Sequence, residues 1–211
     1  EMNTRLQVEH PVTELITGLD LVAEQIRIAE GEPLGYGQGD LAIWGHAIEC
    51  RVYAEDVPAG FLPAPGPLLR HRPPSGPGVR VDAGVEEGDE VPVHYDPMVA
   101  KLCTWGRTRD EAIARMRRAL DEYDVAGIRT TIPFCRTVMD HSAFTSGAFD
   151  TGFVGEHFQA SDLAPSPEAE RTALLAAALA RLGTPPEAAG ETATRATVPA
   201  SRWARRRHTG A

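Results

Sequence analysis

Between residues 58 and 78 the chain reads PAGFLPAPGPLLRHRPPSGPG, with seven prolines and four glycines. No regular helix runs through such a stretch, because an interior proline removes a backbone donor and crowds the preceding turn. A central strand is excluded for the same missing donor. What remains is a Pro/Gly-rich connection, with PLLRHR (67–72) as a short strand inside it. Its flanks read differently. In AIWGHAIECRVYAED (42–56), Trp44, Ile48, Cys50 and Val52 share one parity, and Glu49, Arg51, Tyr53 and Glu55 share the other. Period two predicts a strand with a core face and a charged face. VRVDAGV (79–85) and EVPVHYDPMVAKLCTWG (90–106) read as further short strands around turns at Glu87–Gly88 and Asp96–Pro97.

Helical signals lie on either side of this strand-rich middle. Thr108 with Glu111 makes a capping box, and Ile113, Met116, Leu120 and Tyr123 behind it form one apolar stripe. A second helix is expected from about Thr131 to Asp140, with Pro133 in its first turn. Earlier, a helical stretch follows Pro11; Asp20 suits an N-cap, Val22, Ile26 and Ala29 follow at helical spacing, and Gly31 stops the run. GEPLGYGQGD (31–40) reads as turn, not as a phosphate loop. FDTGFVGEHF (149–158) ends the globular signal. Beyond Gln159 the chain is an Ala/Pro-rich linker or tail, with one expected helix at 168–182.

Composition narrows the partners. With 211 residues, 42% hydrophobic content and a formal charge of −9, the chain can build a packed core. The negative charge argues against a general nucleic-acid or anionic-membrane binder, and the basic RWARRR near the end reads as a solvated tail. The longest apolar run, Ala173 to Ala180, is far short of the roughly 20 residues that span a bilayer. Cys50, Cys103 and Cys135 are widely spaced, and their odd number suits a reducing compartment. No leader pattern opens the chain, so a cytoplasmic protein is expected.

The opening EMNTRLQVEH also alternates. Glu1, Asn3, Arg5, Gln7 and Glu9 fall on one parity; Met2, Thr4, Leu6 and Val8 fall on the other. A strand here carries five polar groups on one face. Arg5 and Glu9 are then about 13 Å apart, at roughly 3.3 Å per residue, a span that suits a small-anion site. An exposed solvated face is the competing reading of the same pattern. The first residue falls within the pattern, so the chain reads as though its beginning were missing.

The order of the residues adds what periodicity does not. EMNTRLQVEHPVTE resembles the signature of the biotin carboxylases. These are the ATP-grasp enzymes that carboxylate biotin within acetyl-CoA, propionyl-CoA, methylcrotonyl-CoA and pyruvate carboxylases. GHAIECRVYAED, FLPAPGPL, GDEVPVHYDPMVAKL and TRDEAIARMRRALDEY continue the resemblance, which runs from residue 1 to about 158. It implies an α+β fold: the final strand and helix of an ATP-grasp domain (1–35), then a biotin carboxylase C-terminal domain with a mainly antiparallel sheet and flanking helices (36–158). Residues 159–211 fall outside it.

The resemblance also implies roles. Glu1 and Asn3 match groups that order Mg²⁺ (or Mn²⁺) and the ATP phosphates, and hard cations of this kind take oxygen ligands. Arg5 matches the guanidinium that holds bicarbonate, and Gln7 and the backbone of Val8 match further bicarbonate contacts. A planar fork of donors suits a planar oxyanion. Glu9 matches the general base that takes the bicarbonate proton. Arg51 matches the cation that stabilises the biotin enolate; apart from the resemblance, it reads as a strand arginine paired with Glu49 or Glu55. Asp96 reads as the partner that orients Arg51 and equally as a turn residue. Lys101, the single lysine, lies in VAKLC and not in the Met-Lys-Met setting of a biotinylated carrier. Biotin is therefore expected as a substrate on a biotin carboxyl carrier protein or domain. A carboxyltransferase is expected as the next partner and a homodimer as the assembly. The family's Gly-rich lid, lysine pair and adenine pocket have no counterpart in the chain. An enzyme fragment that does not cleave ATP alone is the expectation, and a non-catalytic dimerisation or carrier-docking module is the alternative.

Overall fold

The structure is a computed structural model, and it describes residues 2–92, 94–164 and 166–183. The chain divides into two compact units, 1–164 and 165–211. In the first unit, helix α1 (His10–Thr17) starts with Pro11 in its first turn, where the missing N–H costs nothing. It ends at Gly18, whose φ of 75° is the left-handed cap that a residue without Cβ adopts readily. Helix α2 (Leu21–Ala29) begins as predicted, with the Asp20 carboxylate accepting the Ala23 N–H at 2.8 Å. The single helical stretch expected here is thus two helices, broken at Gly18.

The middle of the chain forms strands β1 (His46–Tyr53), β2 (Glu55–Asp56), β3 (Leu62–Pro63), β4 (Gly66–Pro67), β5 (Arg70–Arg72), β6 (Val79–Ala83), β7 (Glu90–Val91) and β8 (Met98–Gly106). Helix α3 (Arg109–Glu122), strand β9 (Asp124–Ala126) and helices α4 (Ile132–Asp140), α5 (Ser142–Ser146) and α6 (Phe153–His157) complete the unit. In the second unit, α7 (Pro167–Gly183) matches the helix expected at 168–182. A three-stranded sheet in the order β1-β8-β6 is the centre, and β2-β3, β4-β7 and β5-β9 are two-stranded pairs. Every pairing is antiparallel, in agreement with the expected α+β architecture. The proline-rich stretch holds β3, β4 and β5, each two or three residues long, as a chain repeatedly short of backbone donors requires.

The register explains the two faces of the central sheet. Cys50 lies opposite Leu102, which lies opposite Val81; one step along, Arg51 faces Lys101 and Lys101 faces Asp82. Ile48, Cys50, Val52, Ala100 and Leu102 therefore project to one side, all buried, against the stripe of α3 formed by Ala112, Ile113, Met116 and Leu120. Thr104 points into the same core and satisfies its hydroxyl by donating to the Ala112 carbonyl at 3.0 Å. Glu49, Arg51, Lys101, Arg80 and Asp82 project to the opposite side, where α1 packs.

Two expectations do not hold. Trp44 is 72% exposed and off the core face, because Gly45 (φ 73°) turns the chain just before β1. A Cβ at Gly45 would collide with the Gly106 carbonyl and the Trp105 indole, so the parity count cannot be carried back through it. Residues 2–9 are not a strand. Among the described residues no strand lies alongside them, and backbone groups without a ladder find other partners. The Gln7 carboxamide turns back to the Asn3 and Arg5 carbonyls, both at 3.0 Å, and His10 bonds the Gln7 carbonyl through its N–H (3.3 Å) and Nδ1 (2.7 Å).

Candidate active site

The turn that replaces the opening strand ends at Glu9, the residue before α1. Glu9 has no side-chain capping bond to its own helix, so its carboxylate is available to other donors. Because α1 lies on the polar face of the sheet, that carboxylate meets Arg51 of β1, with Glu9 Oε2 2.9 Å from Arg51 Nη2. The two residues are 42 positions apart in sequence. Arg51 is also held from its own strand, its Nε donating to Glu49 Oε1 at 3.3 Å. The Glu49 side chain is 6% exposed, and the Cys103 thiol of β8 donates to its second oxygen at 3.8 Å. Burial pushes the Glu49 carboxyl above its ordinary range, against the pull of Arg51 and Lys101. Burial disfavours the Arg51 cation, but Tyr53 and Glu49 together outweigh it and raise its pKa.

Arg5, Gln7 and Glu9 line one cavity of about 530 Å³ that reaches to α2 and Tyr36. Arg51 lines a second cavity, of about 320 Å³, with Phe61, Phe134 and Met139. The Glu9–Arg51 pair joins the walls of the two. The Arg5 Nη1 donates to the Leu6 carbonyl at 3.2 Å, and its side chain is otherwise exposed. Val8 is half-buried in the turn. Asn3 is exposed, and its backbone carbonyl receives the Gln7 amide. Glu1 lies outside the described residues.

Asp96 does not orient Arg51. It is exposed, and its carboxylate accepts the Met98 N–H at 2.9 Å, as a turn residue before β8 does. Among the described residues the carboxylates bonded to Arg51 are Glu9 and Glu49. Glu49 shares the parity of Arg51 two residues away, so the sequence contained that signal. Thr131, which bonds the β1 backbone on both sides of Val52, had no local signal at all. Among the described residues no group of three or more His, Cys, Asp or Glu side chains converges as a metal site.

The family model for the biotin carboxylase C-terminal domain matches residues 49–156, half of the chain. The chain belongs to the biotin carboxylase C-terminal domain family. The model for the ATP-binding domain of the carbamoyl-phosphate synthase L chain matches residues 1–36, ahead of it. The propionyl-CoA carboxylase alpha chain of Ruegeria pomeroyi is 50% identical over 206 residues, 86% of this chain and 30% of that protein. Biotin carboxylase 1 of Bacillus subtilis is 53% identical over 154 residues, 73% of this chain and 34% of that protein. The chain thus spans about a third of the length of these relatives. Among solved structures, the biotin carboxylase domain dimer of Hydrogenobacter thermophilus 2-oxoglutarate carboxylase, in complex with MgADP, ADP and bicarbonate, superposes with a TM-score of 0.75 at 44% identity. That match covers 79% of this chain and 36% of the other. Pyruvate carboxylase of Rhizobium etli gives a TM-score of 0.73 at 35% identity, covering 82% and 18%.

Proposed function

We propose that this chain supplies the bicarbonate- and biotin-facing residues of an ATP-dependent biotin carboxylase, a ligase that forms the N–C bond of carboxybiotin within an acyl-CoA or pyruvate carboxylase. The observation that carries the reading is the Glu9–Arg51 contact at 2.9 Å, which joins the proposed base to the proposed enolate-stabilising cation. The two family matches, one on either side of residues 37–48, support a boundary between an ATP-grasp remnant (1–35) and the C-terminal domain (36–158). ATP, bound as its Mg²⁺ or Mn²⁺ complex, supplies the phosphate that activates bicarbonate. Glu1 and Asn3 are the residues that would hold the metal, where it would offset the charge of the ATP phosphates; Glu1 lies outside the described residues and Asn3 offers an exposed carboxamide.

Arg5 and Gln7, on one cavity wall with Glu9, hold bicarbonate through guanidinium and carboxamide donors, with the Val8 backbone as a further contact. Glu9 accepts the bicarbonate proton. Arg51 stabilises the oxyanion that forms on biotin when its ring nitrogen passes its proton to the phosphate released as carboxyphosphate breaks to CO₂, which that nitrogen then captures; the guanidinium is a fixed charge placed where charge develops. Before substrate arrives, Glu9 and Arg51 satisfy each other. Their side chains are 55% and 41% exposed, and exposed pairs are worth only about 0–1 kcal/mol, so an incoming oxyanion displaces the pair at little cost. The same reading adds the partners: biotin on a carrier protein or domain and a carboxyltransferase that uses carboxybiotin, with a second copy of the chain and a cytoplasmic location implied by the likeness to biotin carboxylases, one of which is described as a domain dimer. Among the described residues no helix is long and apolar enough to cross a membrane.

The test is made in the carboxylase that contains this chain. Arg51→Ala is expected to abolish carboxybiotin formation while bicarbonate-dependent ATP cleavage stays measurable, and Glu9→Gln is expected to suppress both. Equal loss of both activities in a folded Arg51→Ala protein contradicts the role given to Arg51. Direct titration with ATP separates a competent enzyme from a docking module.

A further inference from the structure

Arg51 is held by two carboxylates, and they are not alike. Glu9 lies at the end of a turn with its side chain 55% exposed. Glu49 lies on the same strand as Arg51, two residues away on the same face, with its side chain 6% exposed. The neighbouring central strand backs it through Cys103, 3.8 Å from its second oxygen. The guanidinium is a rigid fork. Glu49 takes the Nε at its base and Glu9 takes one of the Nη groups at its tip.

These differences determine which bond yields. Releasing Glu9 returns an exposed carboxylate to water, which costs little. Releasing Glu49 leaves a nearly buried carboxylate without its cation, which is far more costly. A ligand oxyanion therefore exchanges with Glu9 at the Nη edge while Nε stays bound. We propose that Glu49 is the positioning residue for Arg51, anchoring Nε so that the Nη edge stays aimed at the place where the biotin oxyanion forms. This rests on the enolate-stabilising role proposed for Arg51. An unanchored arginine side chain has several rotatable bonds and samples many directions, and fixing it beforehand removes that entropy from the reaction step. The local backbone is fixed as well, with the Arg51 carbonyl accepting from the Thr131 hydroxyl at 2.9 Å.

The experiment measures carboxybiotin formed per ATP cleaved, with free biotin as the probe, in the carboxylase that contains this chain. In Glu49→Ala the ratio is expected to fall at least about tenfold, since a misplacement of about 1 Å costs on the order of 10²-fold. Glu49→Gln keeps an acceptor for Nε, so it is expected to recover part of the loss. In an Arg51→Ala background, Glu49→Ala is expected to leave the remaining bicarbonate-dependent ATP cleavage unchanged, because both changes remove one unit. A wild-type ratio in Glu49→Ala, alongside a collapsed ratio in Arg51→Ala, overturns the positioning role and leaves the reading of Arg51 standing. Wild-type ratios in both variants overturn the reading of Arg51, and the positioning role with it. A parallel fall of both activities with an additive double variant assigns Glu49 to structure alone and also overturns the proposal. Should Glu49→Ala not fold, Glu49→Gln carries the test: an intermediate ratio supports the anchor, and a wild-type ratio overturns it.

Discussion

Thr131 donates its hydroxyl to the Arg51 carbonyl at 2.9 Å and accepts the Tyr53 N–H at 3.0 Å. Its own N–H reaches the Tyr53 carbonyl at 3.1 Å. One buried side chain thus completes the outer edge of β1 on both sides of Val52, beside the candidate cation. Thr131→Val preserves the shape and deletes both hydroxyl bonds. It is expected to cost about 1–3 kcal/mol, because a strand amide and a carbonyl lose their partner where water is scarce. Urea unfolding of the variant measures this, with Thr131→Ser as the control that retains the hydroxyl. An unchanged midpoint in Thr131→Val shows that the edge does not need it. At this scale less was legible along the chain than the chain contained. Arg5, Gln7, Glu9 and Arg51 stand out through their order, and Glu49 shares the parity of Arg51; what sets Glu49 above Asp96 is that the Asp96 carboxylate accepts the Met98 N–H of its own turn, one of two readings that the sequence leaves open.

Elements were more legible than sites. The stripe of α3 and the alternation of β1 follow a local period, α4 starts with its proline in the first turn, and β8 lies within the stretch expected to form strands. The capping box formed with one change: Thr108 accepts the Glu111 N–H at 3.2 Å, while the Glu111 carboxylate goes to the Arg107 N–H at 2.8 Å. Strand β8 is central, paired on both edges, so its inward side chains have no route to water. Leu102 is fully buried there. Leu102→Ala is expected to cost about 2–5 kcal/mol, because neighbours locked in both adjacent strands and α3 cannot collapse into the space. Chemical denaturation checks the value, and a loss below about 1 kcal/mol would mean a core looser than this packing. The opening residues failed at this scale because alternation predicts a face only where a partner strand exists to hold the chain extended.

Across the whole first unit, the polar face of the sheet is closed by charge pairing. Arg80 of β6 bonds Glu14 of α1 at 2.6 Å and Asp82 at 2.9 Å, and Lys101 of β8 reaches Asp82 at 3.3 Å. Two histidines tie stability to pH. His71 is buried with its Nε2 2.9 Å from the Tyr123 hydroxyl, and burial lowers its pKa from 6.5. Burial and then Arg109 lower that of His46. A histidine depressed in the folded state makes the unfolded chain the better proton acceptor below 6.5, so these groups remove stability as pH falls from there through their folded values. Glu49, raised by burial, has the opposite sign and costs stability as pH rises above its ordinary 4.5. The urea midpoint is expected to fall between about pH 7.5 and pH 5.5, and less so in His71→Gln. Equal falls in both proteins would remove His71 from the account. By itself the sequence determined the family, the antiparallel α+β architecture and the helix that Thr108 caps, because hydrophobic period, capping and residue order are properties of neighbours along the chain. Only the tertiary structure decided that Glu9 meets Arg51, that Glu49 bonds its Nε and that Asp96 serves a turn. Those outcomes depend on α1 lying across one face of the sheet, which brings together residues 42 apart and sets which carboxylate is dry and which is wet.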